Sequence, residues 1–176
     1  MKTLSLIAGF LLVVNFNLYA QPANDDFDSA ALVIGTLATG SNIGATTEPG
    51  EPLDVERPGF PRSPLGGHSV WWRWTAPASG LFTIKTGDRS GAEPSSNFDT
   101  QLAVYAGTSL NDLVEVASNE DHIQFPNGLS SVTIDAIEGT TYHILVDGFG
   151  GETGTIVLYI VPTRFPLSVF INPINA

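Results

Sequence analysis

The run Val70-Trp71-Trp72-Arg73-Trp74-Thr75 leaves the chain little choice of local conformation. Aromatic and β-branched side chains suit a pleated strand. Strand periodicity puts Val70, Trp72 and Trp74 on one face, with Trp71 and Arg73 on the other. Similar runs follow, each alternating apolar with polar residues and each stopped by a turn cluster. They predict strands over 32–34, 37–39, 70–75, 81–86, 101–105, 114–117, 131–136, 142–146 and 155–161. No comparable helical stripe competes, beyond a short turn entered from the acidic cap at Asn24 to Asp28. The expected fold is therefore all-β, an antiparallel, jelly-roll-like β-sandwich of about seven to nine strands. Between Gly44 and Gly67 lie Pro49, Pro52, Pro58, Pro61 and Pro64 with glycines among them, which reads as one long loop. A polar loop is expected over 87–97.

The first twenty residues read as an export leader. Lys2 supplies a positive start, Leu4 to Val14 an apolar stretch, and Ala20 the small residue before a cleavage point. A retained N-terminal anchor is the alternative. The expected organisation is a leader over 1–20, a sandwich module over 21–161, and a tail over 162–176 that adds an edge strand or starts a linker. The whole chain has net charge −11 from 7 basic and 18 acidic residues, and loss of Lys2 with the leader lowers it further. Such a surface has no basic patch for nucleic acid and is repelled by anionic membranes. There is no cysteine, so thiol catalysis and thiolate metal sites are excluded.

Three constellations carry chemistry. Asn24, Asp25 and Asp26 gather beside Asp28, and Glu48 and Glu51 stand in the proline-rich loop. Hard cations such as calcium take six to eight oxygens from groups of this kind, although the spacing is not an EF-hand and solvated carboxylates are the alternative. Asp99 pairs with the turn Asn119-Glu120-Asp121; Asp99, Asn119 and Asp121 read as residues pinning a turn or as a second metal site. Trp71 and Arg73, with Tyr105 and Tyr142, read as a ligand-stacking face, or else Trp71 lies buried under the long loop. No catalytic residues are assigned. His68, His122 and His143 have no zinc spacing, and His68 and Ser69 are neighbours that point to opposite faces of a strand.

Four segments taken in order resemble one family: Ser69 to Gly80, Asn97-Phe98-Asp99-Thr100-Gln101-Leu102-Ala103-Val104-Tyr105-Ala106-Gly107, Ala117-Ser118-Asn119-Glu120-Asp121, and Gly139-Thr140-Thr141-Tyr142-His143-Ile144-Leu145-Val146-Asp147-Gly148. The chain resembles the bacterial pre-peptidase C-terminal domains, β-sandwich modules of exported proteins related to the collagen-binding domains of collagenases. The resemblance implies a module that binds and does not catalyse. In the related collagen-binding domains an Asn-Asp pair ligates calcium with acidic residues of a following loop. Asn24 and Asp25 match that pair, and Glu48 and Glu51 hold comparable positions. The expectation is a secreted or cell-surface binding module, stabilised by calcium, whose partner is an extracellular protein or polysaccharide. The alternatives are a structural, assembly or secretion-helper domain of a larger exported protein, and an unrecognised hydrolase.

Overall fold

A computed structural model describes residues 20–88, 90–121 and 128–163. The leader up to residue 19, His122 and the tail beyond Thr163 lie outside the described residues. A 3-10 turn at Phe27–Ser29 precedes the strands, which in chain order are β1 (Ala31–Leu32), β2 (Leu37–Ser41), β3 (Asp54–Val55), β4 (Ser63–Pro64), β5 (Val70–Thr75), β6 (Gly80–Lys85), β7 (Thr100–Ala106), β8 (Val114–Glu120), β9 (Ser131–Ala136), β10 (Thr141–Gly148) and β11 (Thr155–Pro162). A five-stranded sheet runs β1-β5-β10-β7-β8 and a four-stranded sheet runs β2-β11-β6-β9. The fold is thus an all-β sandwich. Among the described residues of the two sheets, β7 and β8 alone are both consecutive in sequence and paired; apart from β3 to β4, the other connections carry the chain between sheets. Among the described residues no helix is long and apolar enough to cross a membrane.

The period-two reading of the tryptophan run holds. Trp72 and Trp74 face inward with Leu102, Val104, Ile144 and Val146, against Phe82, Ile84, Ile134, Ile156, Leu158 and Ile160 of the other sheet. Gly40 permits this closeness, since a Cβ there would sit 2.9 Å from the Trp72 ring.

Two features differ from expectation. The first strand, β1, pairs parallel with β5, so the sheet is not wholly antiparallel. The stretch 44–67 is not loop throughout: β3 and β4 pair as a small antiparallel ribbon. The outward face of the five-stranded sheet explains it. Trp71, Ala103, Tyr105 and Leu145 point outward there, and that apolar surface is removed from water by Phe27, Ala30, Val55, Leu65, Leu110 and Leu113. With both faces covered, β7 is buried from Thr100 to Tyr105.

Candidate functional site

At the junction of the N-terminal segment and the long loop, the acidic residues act as hydrogen-bond acceptors for the chain itself. Asn24 donates its side-chain amide to the Trp71 carbonyl at 2.9 Å and accepts the Trp71 N–H on its own carbonyl at 2.8 Å. The buried Asp25 carboxylate accepts the Thr46 N–H at 2.7 Å, the Thr46 hydroxyl at 2.8 Å and the Gln21 amide at 2.9 Å. Glu48 accepts the Phe27 N–H at 2.6 Å. Glu51, also buried, accepts the Ser69 hydroxyl at 2.6 Å and the Trp71 indole N–H at 2.9 Å. Burial pushes the Glu51 carboxyl above its ordinary pKa, against the pull of those two donors. Asp26 is exposed and caps nothing with its side chain. Asn24, Asp25, Asp26, Glu48 and Glu51 are therefore brought to one region, where the Asp25, Glu48 and Glu51 carboxylates accept N–H and O–H groups. A calcium shared at this junction stands as the sequence expectation.

Of the two readings of Trp71, the structure has the ring buried under the long loop, and the stacking face is corrected. Trp71 is 0 % exposed, and Tyr105 and Tyr142 are buried with it, so none offers a ring to a ligand. The Phe27 ring meets Trp71 edge-on at 5.2 Å, and Glu51 of the long loop holds its N–H. Arg73 stays exposed, opposite His143 across the β5–β10 pair. His143 stacks on Phe27 at 4.4 Å, and burial followed by the Arg73 charge lowers its pKa. His68 lies 2.7 Å from the Ala45 carbonyl through Nδ1, while the Ser69 hydroxyl is engaged by Glu51. The adjacent His68 and Ser69 thus make no nucleophile–base pair.

The other end of the sandwich gathers a different set. Asp99 precedes β7, Glu120 closes β8, and Asp121 follows it. Among the described residues they are the one group of three His, Cys, Asp or Glu side chains whose candidate ligand atoms all lie within 4.8 Å of one another. Arg57, from the long loop, brings its Nε to 2.9 Å from Glu120 Oε2 and donates from a terminal nitrogen to Asp121 Oδ2 at 3.0 Å. The guanidinium carbon lies 4.9 Å from the centre of the Phe60 ring and 5.4 Å from that of Phe149. Phe60 is 67 % exposed. Glu152 accepts the Asp99 N–H at 3.0 Å, and a cleft of about 410 Å³ lies beside them, lined by Ser96, Asn97, Phe98, Asp99 and Glu152. Burial, then Asp121, Glu120 and Glu152, raise the Asp99 pKa to about 6.

Of the second expected constellation, Asp99 and Asp121 meet here and Asn119 does not. Asn119 accepts the Ser131 N–H at 3.1 Å, on the core side, and Glu120 stands in its place. The signal was strand parity: Asn119 pairs with core-facing Leu102, whereas Glu120 pairs with Gln101, whose amide reaches outward to the β4 residues Ser63 and Pro64. Arg57, Phe60 and Phe149 carried no periodic signal and were missed.

No family model matches the sequence, and no curated protein matches it. Among solved structures the chain is similar to the pre-peptidase C-terminal domain of collagenase from Bacillus anthracis, at 10% identity and a TM-score of 0.43. That similarity covers 74% of this chain and 93% of the other.

Proposed function

We propose that the chain is an exported, non-catalytic module that binds an extracellular polymer, and that the binding end is the one carrying Arg57, Phe60 and Phe149. The observation that carries this reading is the exposed Phe60 ring stacked with Arg57 beside Phe149. An exposed aromatic face held by a cation suits stacking on a sugar ring or packing on a protein surface. The acidic surplus disfavours polyanions and leaves neutral polysaccharide or protein fibre as the ligand class. Export is supported by the leader-like sequence of residues 1–20. The test is retention on a panel of insoluble polysaccharides and protein fibres. Phe60→Ala and Phe149→Ala should each weaken retention, and failure of the unaltered protein to bind any of the polymers overturns the reading.

An assembly role is the second reading. Leu32, Ile34 and Leu37 stand exposed where the edges of the two sheets meet, a small apolar surface of the kind partner proteins cover. Co-purification with an exported protein, lost on Ile34→Asp, would favour it.

A further inference from the structure

We infer that Asp99, Glu120 and Asp121 form a binding site for a hard divalent cation, with calcium as the fitting ion. Calcium holds oxygens at 2.3–2.6 Å, so ligands on opposite sides of it stand about 5 Å apart. The three carboxylates offer oxygens within 4.8 Å of one another. That spacing lets all three touch one ion without a change in the strands that carry them.

The second observation is independent of acidity. Glu120 is 0 % exposed, and its Oε1 has no hydrogen-bond partner. Asp99 Oδ1 is also buried and unpartnered. Buried carboxylate oxygens are ordinarily met by donors, because an unpaired buried charge is strongly destabilising. Arg57 answers only part of the demand. Its Nε sits 2.9 Å from Glu120 Oε2 without directing its N–H there, since both atoms lack a hydrogen bond. Its side-chain hydrogen bond goes to Asp121 Oδ2. One guanidinium therefore faces three carboxylates, with Glu152 close behind Asp99. A dication supplies both the missing charge and a partner for the two orphaned oxygens.

The contrast with the N-terminal junction sharpens the assignment. There each buried carboxylate meets N–H or O–H donors. Here buried oxygens face one another. Access is open, since the Asp121 side chain is 41% exposed and Asp99 lines the cleft. Water and carbonyl oxygens would complete the six to eight ligands calcium takes.

The inference stands apart from polymer binding and is tested without a polymer. Protein stripped with EDTA is titrated with calcium chloride by calorimetry, and its thermal unfolding is followed in EDTA and in calcium. One saturable site is expected, with Tm rising by about 9 °C when calcium is a hundredfold above its Kd. Asp99→Asn and Asp121→Asn should each weaken binding about tenfold or more, by removing ligand charge. Arg57→Gln should tighten it, because the competing cation is gone. Asp135→Asn, exposed on the four-stranded sheet, should change nothing. Absence of both heat and Tm response in the unaltered protein overturns the inference, whatever the variants do. So does a response that survives Asp99→Asn and Asp121→Asn but is lost on Glu48→Gln, which would place the ion at the N-terminal junction.

Discussion

Replacing Glu51 separates two contributions that the structure joins at one carboxylate: a pair of buried hydrogen bonds and a buried charge. In Glu51→Leu the Trp71 indole N–H, on a side chain that is 0 % exposed, loses its acceptor at 2.9 Å. A buried donor left unpaired costs about 1–3 kcal/mol, more where the lost partner was charged. The Ser69 hydroxyl loses its acceptor at 2.6 Å but keeps the Thr46 carbonyl at 3.2 Å, so its share is smaller. The total is about 2–4 kcal/mol, or roughly 10 °C in Tm for a domain of this size. Glu51→Gln keeps the network. Its amide oxygen accepts from Trp71, its amide nitrogen donates to Ser69, and Ser69 donates onward to Thr46. Because burial already disfavours the ionised Glu51, removing the charge returns part of any loss. The glutamine variant should lie within about 1 kcal/mol of the parent. Urea unfolding followed by tryptophan fluorescence and far-ultraviolet circular dichroism, with the slope m unchanged, measures both. A leucine variant as stable as the parent would refute the hydrogen-bond assignment. A glutamine variant as damaged as the leucine would show that charge holds Trp71 in place.

The same buried carboxylates set a pH dependence. Burial raises the pKa of Glu51 and of Asp147, the latter despite three backbone N–H donors from Gly67, His68 and Gly148. A raised folded-state pKa gives stability that is full below the unfolded value, near 4, and lost as pH rises through the folded value. Metal-free protein should therefore melt at a higher temperature at pH 5 than at pH 8. Below pH 4 the trend reverses as Asp88 and Asp112, both lowered to about 2 by hydrogen bonds, begin to protonate. A Tm that is flat or rising from pH 5 to 8 in EDTA would contradict the burial assignments. Gly66→Ala puts a Cβ 1.9 Å from the Gly148 carbonyl oxygen and 2.7 Å from the Gly151 nitrogen, backbone atoms with no rotamer to yield. It should cost about 3 kcal/mol, against about 1 kcal/mol for Gly59→Ala, where space is open and only the left-handed φ of 83° is strained. Equal losses in the two variants would refute the contact.

What could be read in advance follows from periodicity. The inward Trp72 and outward Trp71 are fixed by counting in twos, and so are the segments that became β5, β9 and β10. What covers the outward face is not periodic. Glu51 meets Trp71 through a loop twenty residues earlier, so nothing near Trp71 announces that its ring is enclosed. Carboxylates pose the same problem. Asp25 and Asp99 are alike in sequence, each an aspartate in a polar stretch, yet one finds three donors and the other finds carboxylates. Composition counts oxygens without saying what faces them. Glu120 was settled only by the register of β8 on β7, which sets it opposite Gln101 and Asn119 opposite core-facing Leu102.

The proline-rich segment is where covering the sheet and building the candidate site become one task. The outward face of the five-stranded sheet has to be shielded, and the segment that shields it also delivers Glu51, Arg57 and Phe60. Its attachment is specific at the residue that matters. The Glu56 N–H donates to the Ser118 hydroxyl at 2.8 Å, and the Glu120 N–H donates to the Glu56 carbonyl at 2.8 Å. Arg62 adds ion pairs to Asp54, Glu56 and Glu115, tying the ribbon to β8. Residue 56 is thus bonded on both its backbone groups to β8, which leaves Arg57 beside Glu120 with little freedom to be elsewhere. The Arg57–Phe60 stack is therefore held in place, so that the polymer binding proposed for this end would lose less ordering entropy. Loss of the Ser118 hydroxyl and the Arg62 guanidinium loosens it, leaving the Glu120–Glu56 backbone bond and the Arg57 ion pairs. Ser118→Ala with Arg62→Ala should leave the inner core intact and weaken whatever the Phe60 end binds.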